Sequence, residues 1–418
     1  MPRTAWAEID LGALAGNLAT LRALAGRGTP VHPVVKGDAY GHGAIPVARA
    51  LEDVGADGFC VATMDEALAL RDARIERPIL VMYPIPAALA TEARRRAIAV
   101  TVGDRELLDE LLAAVTVDPD APPLAVQVEI ETGLGRGGFR GDDALAAAIR
   151  IRDTAGLRLM GAWTHLQAPE DASRSRAQVV EFERITRDLE DRATPLGLRH
   201  LAASGSLVLG EAVSLDGVRP GLATYGLVPD ELLGGSADAG PSPRPPTAEA
   251  GRLRPILSLR ARPVHIGELP SGWGISYGPT FTTSRESRIA TLPIGYGDGW
   301  SRALSNRAEA LVRGRRVPIV GNVAMDAVMA DVTDVPGEPV GVHDEFVLIG
   351  EQGGERITAA DVARARGTNS WEVVTTLAAR LPRVYHAASV PRETRTLLGD
   401  AFPDAEKATA AGRRSMRP

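Results

Sequence analysis

Lysine is almost absent from this chain: of 47 basic residues in 418, only Lys36 and Lys407 are lysine, and the rest are arginine. Cysteine is scarcer still. The single Cys60, inside the apolar run FCVAT, excludes a disulfide framework and any cysteine-based zinc site. Runs of about 18 apolar residues, the length that spans a bilayer, are missing, and the opening MPRTAWAEID has no apolar signal stretch. A soluble, cytoplasmic protein is the expectation. The formal charge of −6, with both signs scattered along the chain, leaves no basic stripe for nucleic acid or an anionic membrane. No spacing of histidines and carboxylates marks a metal site, so no metal is expected. What remains draws attention to one lysine. A chain that uses arginine wherever a plain positive charge suffices, yet keeps Lys36 at the end of the apolar run VHPVV, points to a need for an amine. Arginine stays protonated, whereas lysine can lose its proton and attack a carbonyl.

The chain up to about residue 225 alternates short apolar runs with amphipathic, helix-length stretches. The runs begin at Val31, Phe59, Pro78, Ile98, Leu124, Leu159, His200 and Ala212. Between them lie segments such as MDEALALRDAR, whose apolar residues recur every three or four positions. Eight such units predict an α/β fold, a (β/α)8 TIM-type barrel over residues 1–228, with its chemistry at the C-terminal ends of the strands. Lys36, Glu129, His165, Ser204 and Arg219 fall at those ends. Residues 229–254, rich in Gly, Pro and Ala without an apolar period, read as a flexible insertion. From 255 to 400 the short alternating runs predict a C-terminal mostly-β domain, and 401–418 read as a disordered tail.

A lysine ending the first barrel strand, with an anion site after the last two strands, is an arrangement suited to pyridoxal 5'-phosphate (PLP). Ser204 in ASGS offers a hydroxyl there, and Gly221 and Leu222 in RPGLATYG offer backbone N–H groups. On these segments together the sequence resembles the alanine racemases, from AEIDL at Ala7 to LPRVYH ending at His386. PVVKGDAYGHG looks like the family's PLP-lysine motif. The resemblance implies that Lys36 holds PLP covalently and that Tyr40 contacts its phosphate. It implies that His165, in THLQAPED, bridges the catalytic tyrosine and the arginine at the pyridine nitrogen, Arg219. GISYGPTF resembles the segment with the second base, Tyr277, which the family supplies from the partner subunit of a homodimer with shared sites. Tyr296 in PIGYGDGW and Met325 and Asp326 in GNVAMDAVMADVT look like the access-channel and substrate-binding segments, and Arg136 matches the arginine aimed at the cofactor's phenolic oxygen.

The roles are chemically coherent. Racemisation needs one base on each face of the α-carbon, which Lys36 and Tyr277 can supply. Arg219 keeps the pyridine nitrogen unprotonated, which weakens the electron sink and disfavours transamination and decarboxylation. The resemblance therefore implies a PLP-dependent isomerase that interconverts L- and D-alanine, with D-alanine serving peptidoglycan. Three departures bear on substrate and site. Ala203 stands where the family has asparagine, Trp371 where it has a tyrosine on the phosphate, and Glu129 where it often has a carbamylated lysine. A racemase of broader amino-acid specificity and a non-catalytic PLP carrier are the alternatives, and a PLP decarboxylase is a rival disfavoured by Arg219.

Overall fold

The computed structural model describes residues 3–115, 122–192, 196–210, 214–233, 245–388, 390–397 and 399–401. The chain divides into two units, one spanning Ala13–Pro255 and the other made of Met1–Gly12 together with Ile256–Pro418. Strand β1 (Ala5–Asp10) belongs to the latter.

The first unit is built on parallel strands β2 (Phe59–Val61), β3 (Ile79–Val81), β4 (Ile98–Val102), β5 (Leu124–Glu129), β6 (Leu157–Trp163), β7 (Leu198–Ala203) and β8 (Gly217–Arg219), hydrogen-bonded in sequence order. Their runs of Val, Ile and Leu are buried along almost their whole length, as parallel strands covered on both faces require. The first apolar run, at Val31, is not a regular strand. Pro30 and Pro33 lack the N–H groups a ladder needs, so the segment joins its neighbours by single bridges, Val31 to Val218 and Val34 to Cys60. Its N–H groups at His32 and Val35 donate to the carbonyls of Val218 (2.9 Å) and Cys60 (2.9 Å). The segment thus lies between β8 and β2 and closes the barrel.

Helices fill the crossovers, with local start signals. Asp104 caps the helix Arg105–Ala114 by accepting from the N–H of Leu107 at 3.1 Å. Residues 229–254, read above as a flexible insertion, include two 3-10 turns, Asp230–Leu232 and Ala250–Arg252, with Leu232, Ala250 and Leu253 buried. Those stretches are ordered parts of this unit, because their apolar side chains pack inward; positions 234–244 lie outside the described residues.

The second unit is one sheet. Its further strands are β9 (Leu257–Ala261), β10 (His265–Leu269), β11 (Ser287–Leu292), β12 (Glu309–Val312), β13 (Arg315–Val320), β14 (Val328–Asp331), β15 (Phe346–Gln352), β16 (Glu355–Ile357), β17 (Arg383–Ala387), β18 (Val390–Thr396) and β19 (Gly399–Ala401). Their order is β10-β11-β14-β13-β12-β15-β9-β1-β17-β18-β19, with β16 on β15. Here the sequence expectation needs correction: residues 5–10 are not part of the barrel. β1 runs antiparallel to β9 (Ala5 opposite Ala261) and parallel to β17 (Ala7 opposite Arg383), so both of its edges are paired in the second sheet. A strand followed at once by the helix Leu11–Ala25 reads like a barrel unit, but the two belong to different cores. Of the tail, 402–418 lie outside the described residues. Among the described residues no helix is long and apolar enough to cross a membrane.

Candidate active site

Lys36 follows the bridge segment and opens an unusual turn. Gly37, Asp38, Ala39 and Tyr40 all have positive φ, between 53° and 61°. A left-handed conformation costs an L-residue about 1–2 kcal/mol, so three consecutive non-glycine residues need compensation. They receive it from backbone bonds, Ala39 N–H to Val35 O (2.9 Å), Gly41 N–H to Gly37 O (2.9 Å) and Gly43 N–H to Asp38 O (2.8 Å). Side chains add more: Glu66 accepts from Gly37 N–H at 2.6 Å and Asp38 from Ala44 N–H at 2.8 Å. The turn carries the ring of Tyr40 into the interior beside Tyr225, whose hydroxyl donates to Val34 O at 2.7 Å. Burial holds the Lys36 amine below the usual lysine range, and the guanidinium groups of Arg136 and Arg219 push in the same direction. More of this amine is therefore unprotonated at neutral pH than of an exposed one.

Arg219, at the end of β8, is buried with its guanidinium 4.8 Å from the ring of Trp163. Burial lowers its pKa to about 10, so it remains a cation at neutral pH. Nη1 donates to Nδ1 and to the carbonyl of His200 (2.9 Å), and Nη2 donates to Thr164 O (2.8 Å). Nε is buried with no partner. His165, at the end of β6, was expected to reach this arginine, yet the partner of Arg219 is His200. The Nδ1 of His165 is buried without a partner, and burial beside three cations lowers its pKa to about 3, leaving a neutral ring. His200 escaped the sequence reading because it begins the apolar run HLAAS like a core residue. A histidine inside a barrel strand was its only signal.

Three elements converge near the Tyr40 hydroxyl. The Oγ of Ser204 accepts from the N–H groups of Gly221 (2.9 Å) and Ala223 (3.1 Å). A Cβ on Gly221 would lie 2.5 Å from the Tyr40 hydroxyl, so only glycine permits this approach. Leu222 is buried at the start of the 3-10 turn Leu222–Tyr225.

Glu129 ends β5 and is buried, with Oε1 3.6 Å from Nη2 of Arg136. Burial raises its pKa while Arg136 opposes that rise. Glu131 acts differently. Its carboxylate accepts from Gly133, Gly135 (2.7 Å) and Arg136 (3.2 Å) backbone N–H groups and holds the loop rather than the side chain of Arg136. The strand has ended by then, so the alternation that would place 129 and 131 alike no longer applies.

The remaining residues belong to the second unit. Tyr277 is 81% exposed, on a loop where Ser276 has φ 67°. The Asn322 amide donates to the carbonyls of Tyr277 (2.9 Å) and Gly278 (3.0 Å), and Ser276 Oγ donates to Asn322 O (2.7 Å). That ties the tyrosine loop to the segment bearing Met325, whose carbonyl in turn accepts from Gly297 N–H beside Tyr296 (2.9 Å). Met325 and Tyr296 are exposed, and Asp326 pairs with Arg380 at 2.6 Å. Trp371 is half-buried on the short helix Ser370–Thr375, which Asn369 caps.

A closed parallel barrel with a desolvated amine at its rim, in a chain that also builds a separate, mainly antiparallel unit, defines the class: a two-unit barrel enzyme. Comparison with known proteins narrows it. The profile of "Alanine racemase, N-terminal domain" matches residues 9–229, and that of "Alanine racemase, C-terminal domain" matches 256–385. The chain is 36% identical over 388 residues to the alanine racemase of Halothermothrix orenii, covering 92% of this chain and 97% of the relative. With the alanine racemase of Sorangium cellulosum the identity is 39% over 392 residues, covering 91% and 98%. The structure of alanine racemase from Bacillus anthracis with bound L-Ala-P superposes with a TM-score of 0.84 at 34% identity, covering 95% and 98%. The chain belongs to the alanine racemase family and is, with that family, an isomerase.

Proposed function

We propose that this chain interconverts L- and D-alanine in the cytoplasm, with PLP held on Lys36 and with the second base, Tyr277, supplied by the partner subunit of a homodimer. The observation that carries the reading is the pairing of a desolvated Lys36 amine with a buried Arg219 whose Nε is uncommitted. A ring nitrogen is the acceptor that such an N–H lacks, so the residues fit the cofactor. Lys36 would hold it through its carbonyl carbon; Tyr40, Ser204, Gly221 and Leu222 would surround the phosphate; Arg219 would face the pyridine nitrogen; and Trp371 would border the phosphate and the substrate. When bound, the ring of PLP withdraws electrons and makes the substrate's α-proton removable.

The chain's own groups do the rest. Lys36 Nζ, whose surroundings disfavour the cation, takes or returns a proton on one face. The hydroxyl of Tyr277 does so on the other. Arg219 stays a cation and gives up no proton, so it would leave the ring nitrogen that it faces unprotonated, which would disfavour transamination. Arg136 and Met325 are the residues that the family resemblance assigns to substrate binding. In heavy water, a panel of L-amino acids with chiral analysis should show deuterated D-alanine as the main product. A larger residue racemised better than alanine would point to the changes at Ala203 and Trp371 as having reshaped the pocket; no exchange with any amino acid would refute the reading.

Glu129 tests the site more finely. With its carboxyl facing the Arg136 guanidinium, it can orient Arg136 where the family often uses a carbamylated lysine. Because the pair is 3.6 Å apart and Arg136 is partly exposed, its worth is about 1 kcal/mol, so Glu129→Gln should lower kcat/KM roughly fivefold. Added bicarbonate should change nothing. A variant equal to wild type would remove Glu129 from this role.

A further inference from the structure

We infer that Gln127 is a positioning residue: its side-chain oxygen fixes His200 in the Nε2-protonated form and so holds Arg219 with its Nε–H free. The inference rests on the PLP reading above, because that reading gives the free Nε–H its partner. Gln127 comes from β5 and His200 from β7, and Gln127, His200 and Arg219 are 6%, 1% and 2% exposed. A guanidinium carries only donors. The Nδ1 of His200, facing Arg219 Nη1, must therefore present its lone pair, and a neutral ring then carries its proton on Nε2. That proton points at Gln127 Oε1, 2.6 Å away. The opposite tautomer would set two N–H groups against each other in a buried site. A doubly protonated ring would place two cations in contact, and burial with Arg219 nearby keeps the ring far from that state.

The neighbouring groups complete the case. His32 lies close enough to bear on His200, but its Nε2 has no partner and its own pKa falls to about 4, so it remains a neutral bystander. Trp163 backs the guanidinium, and its indole N–H donates to Thr101 at 3.3 Å. With the two carbonyls of His200 and Thr164 and the lone pair of His200 engaging Nη1 and Nη2, Nε is the guanidinium nitrogen that has no partner and is open to a ligand. Gln127 thus acts at two removes, through the ring and then the guanidinium. A polar residue in the apolar strand LAVQVEI is its only mark in the sequence.

Nitrogen-15 spectra of histidine-labelled protein test this with and without PLP, the His200 signals being assigned by their loss in a His200→Asn chain. The expected result is a neutral ring protonated at Nε2 in both forms. A proton on Nδ1, or on both nitrogens, would overturn the inference, and this measurement does not depend on any Gln127 variant folding. In Gln127→Met, which keeps the bulk and removes the acceptor, the His200 pattern should change and the absorption band of bound PLP should move. Turnover should fall about tenfold with KM nearly constant. A purely structural role would lower Tm and leave the spectra unmoved, and a wild-type His200 pattern in this variant would refute the proposal. If wild-type protein bound no PLP, the functional reading would fail while the tautomer remained measurable.

Discussion

Replacing Lys36 by alanine should abolish covalent attachment of PLP and racemisation together. Lys36 is the only lysine among the described residues, and Lys407 lies among the final residues, outside the described ones. None of the arginines can take its place, because a guanidinium does not release its proton to attack a carbonyl. Borohydride reduction followed by peptide mapping should locate the cofactor on Lys36 alone; label on Lys407, or no label, would contradict the assignment. Loss of the base by itself costs roughly 10² to 10⁴ in rate, and loss of attachment adds to that. The capture of PLP by the unloaded enzyme should rise with pH and level off below the range of an exposed lysine, since burial, Arg136 and Arg219 all disfavour the ammonium form. A profile matching free lysine would show that the site does not tune its amine.

Mixing two inactive chains, Lys36→Ala and Tyr277→Phe, should restore about a quarter of wild-type activity if each site takes its lysine from one subunit and its tyrosine from the other. Random pairing makes half of the dimers hybrids, and each hybrid has one of its two sites intact. The exposure of Tyr277, at 81%, together with a loop anchored by Asn322 and Ser276, suits a side chain presented to another subunit. Each variant alone should be inactive because a single base cannot serve both faces of a planar carbon. Demonstrated subunit exchange without recovery of activity would sink the shared site.

Some of this was legible in the sequence for physical reasons. Lys36 stood out because arginine had replaced lysine almost everywhere else. The barrel strands showed as apolar runs because parallel strands are buried on both faces. Other features were hidden by the same physics. His200 and Gln127 sit in apolar runs, and a polar residue facing a barrel interior looks no different in sequence from a satisfied core residue. The first run was read as a strand, although its prolines reduce it to two bridges. Residues 5–10 fell inside the span 1–228 given to the barrel because a segment's own pattern reports what it buries, not the sheet with which it pairs. The separate tasks of Glu129 and Glu131 depend on where β5 stops, one residue too fine for alternation to show.

The placement of β1 also bears on how the chain is made. Ala5 pairs with Ala261, and Ala7 with Arg383, so partners lie 256 and 376 positions downstream. At about 5–20 residues per second on the ribosome, β1 waits roughly 13–51 s for its first neighbour and roughly 19–75 s for its second. The whole barrel emerges during that interval. β1 must spend it as an unpaired apolar strand, so nascent-chain chaperones have their longest opportunity at the first dozen residues rather than at the barrel that follows.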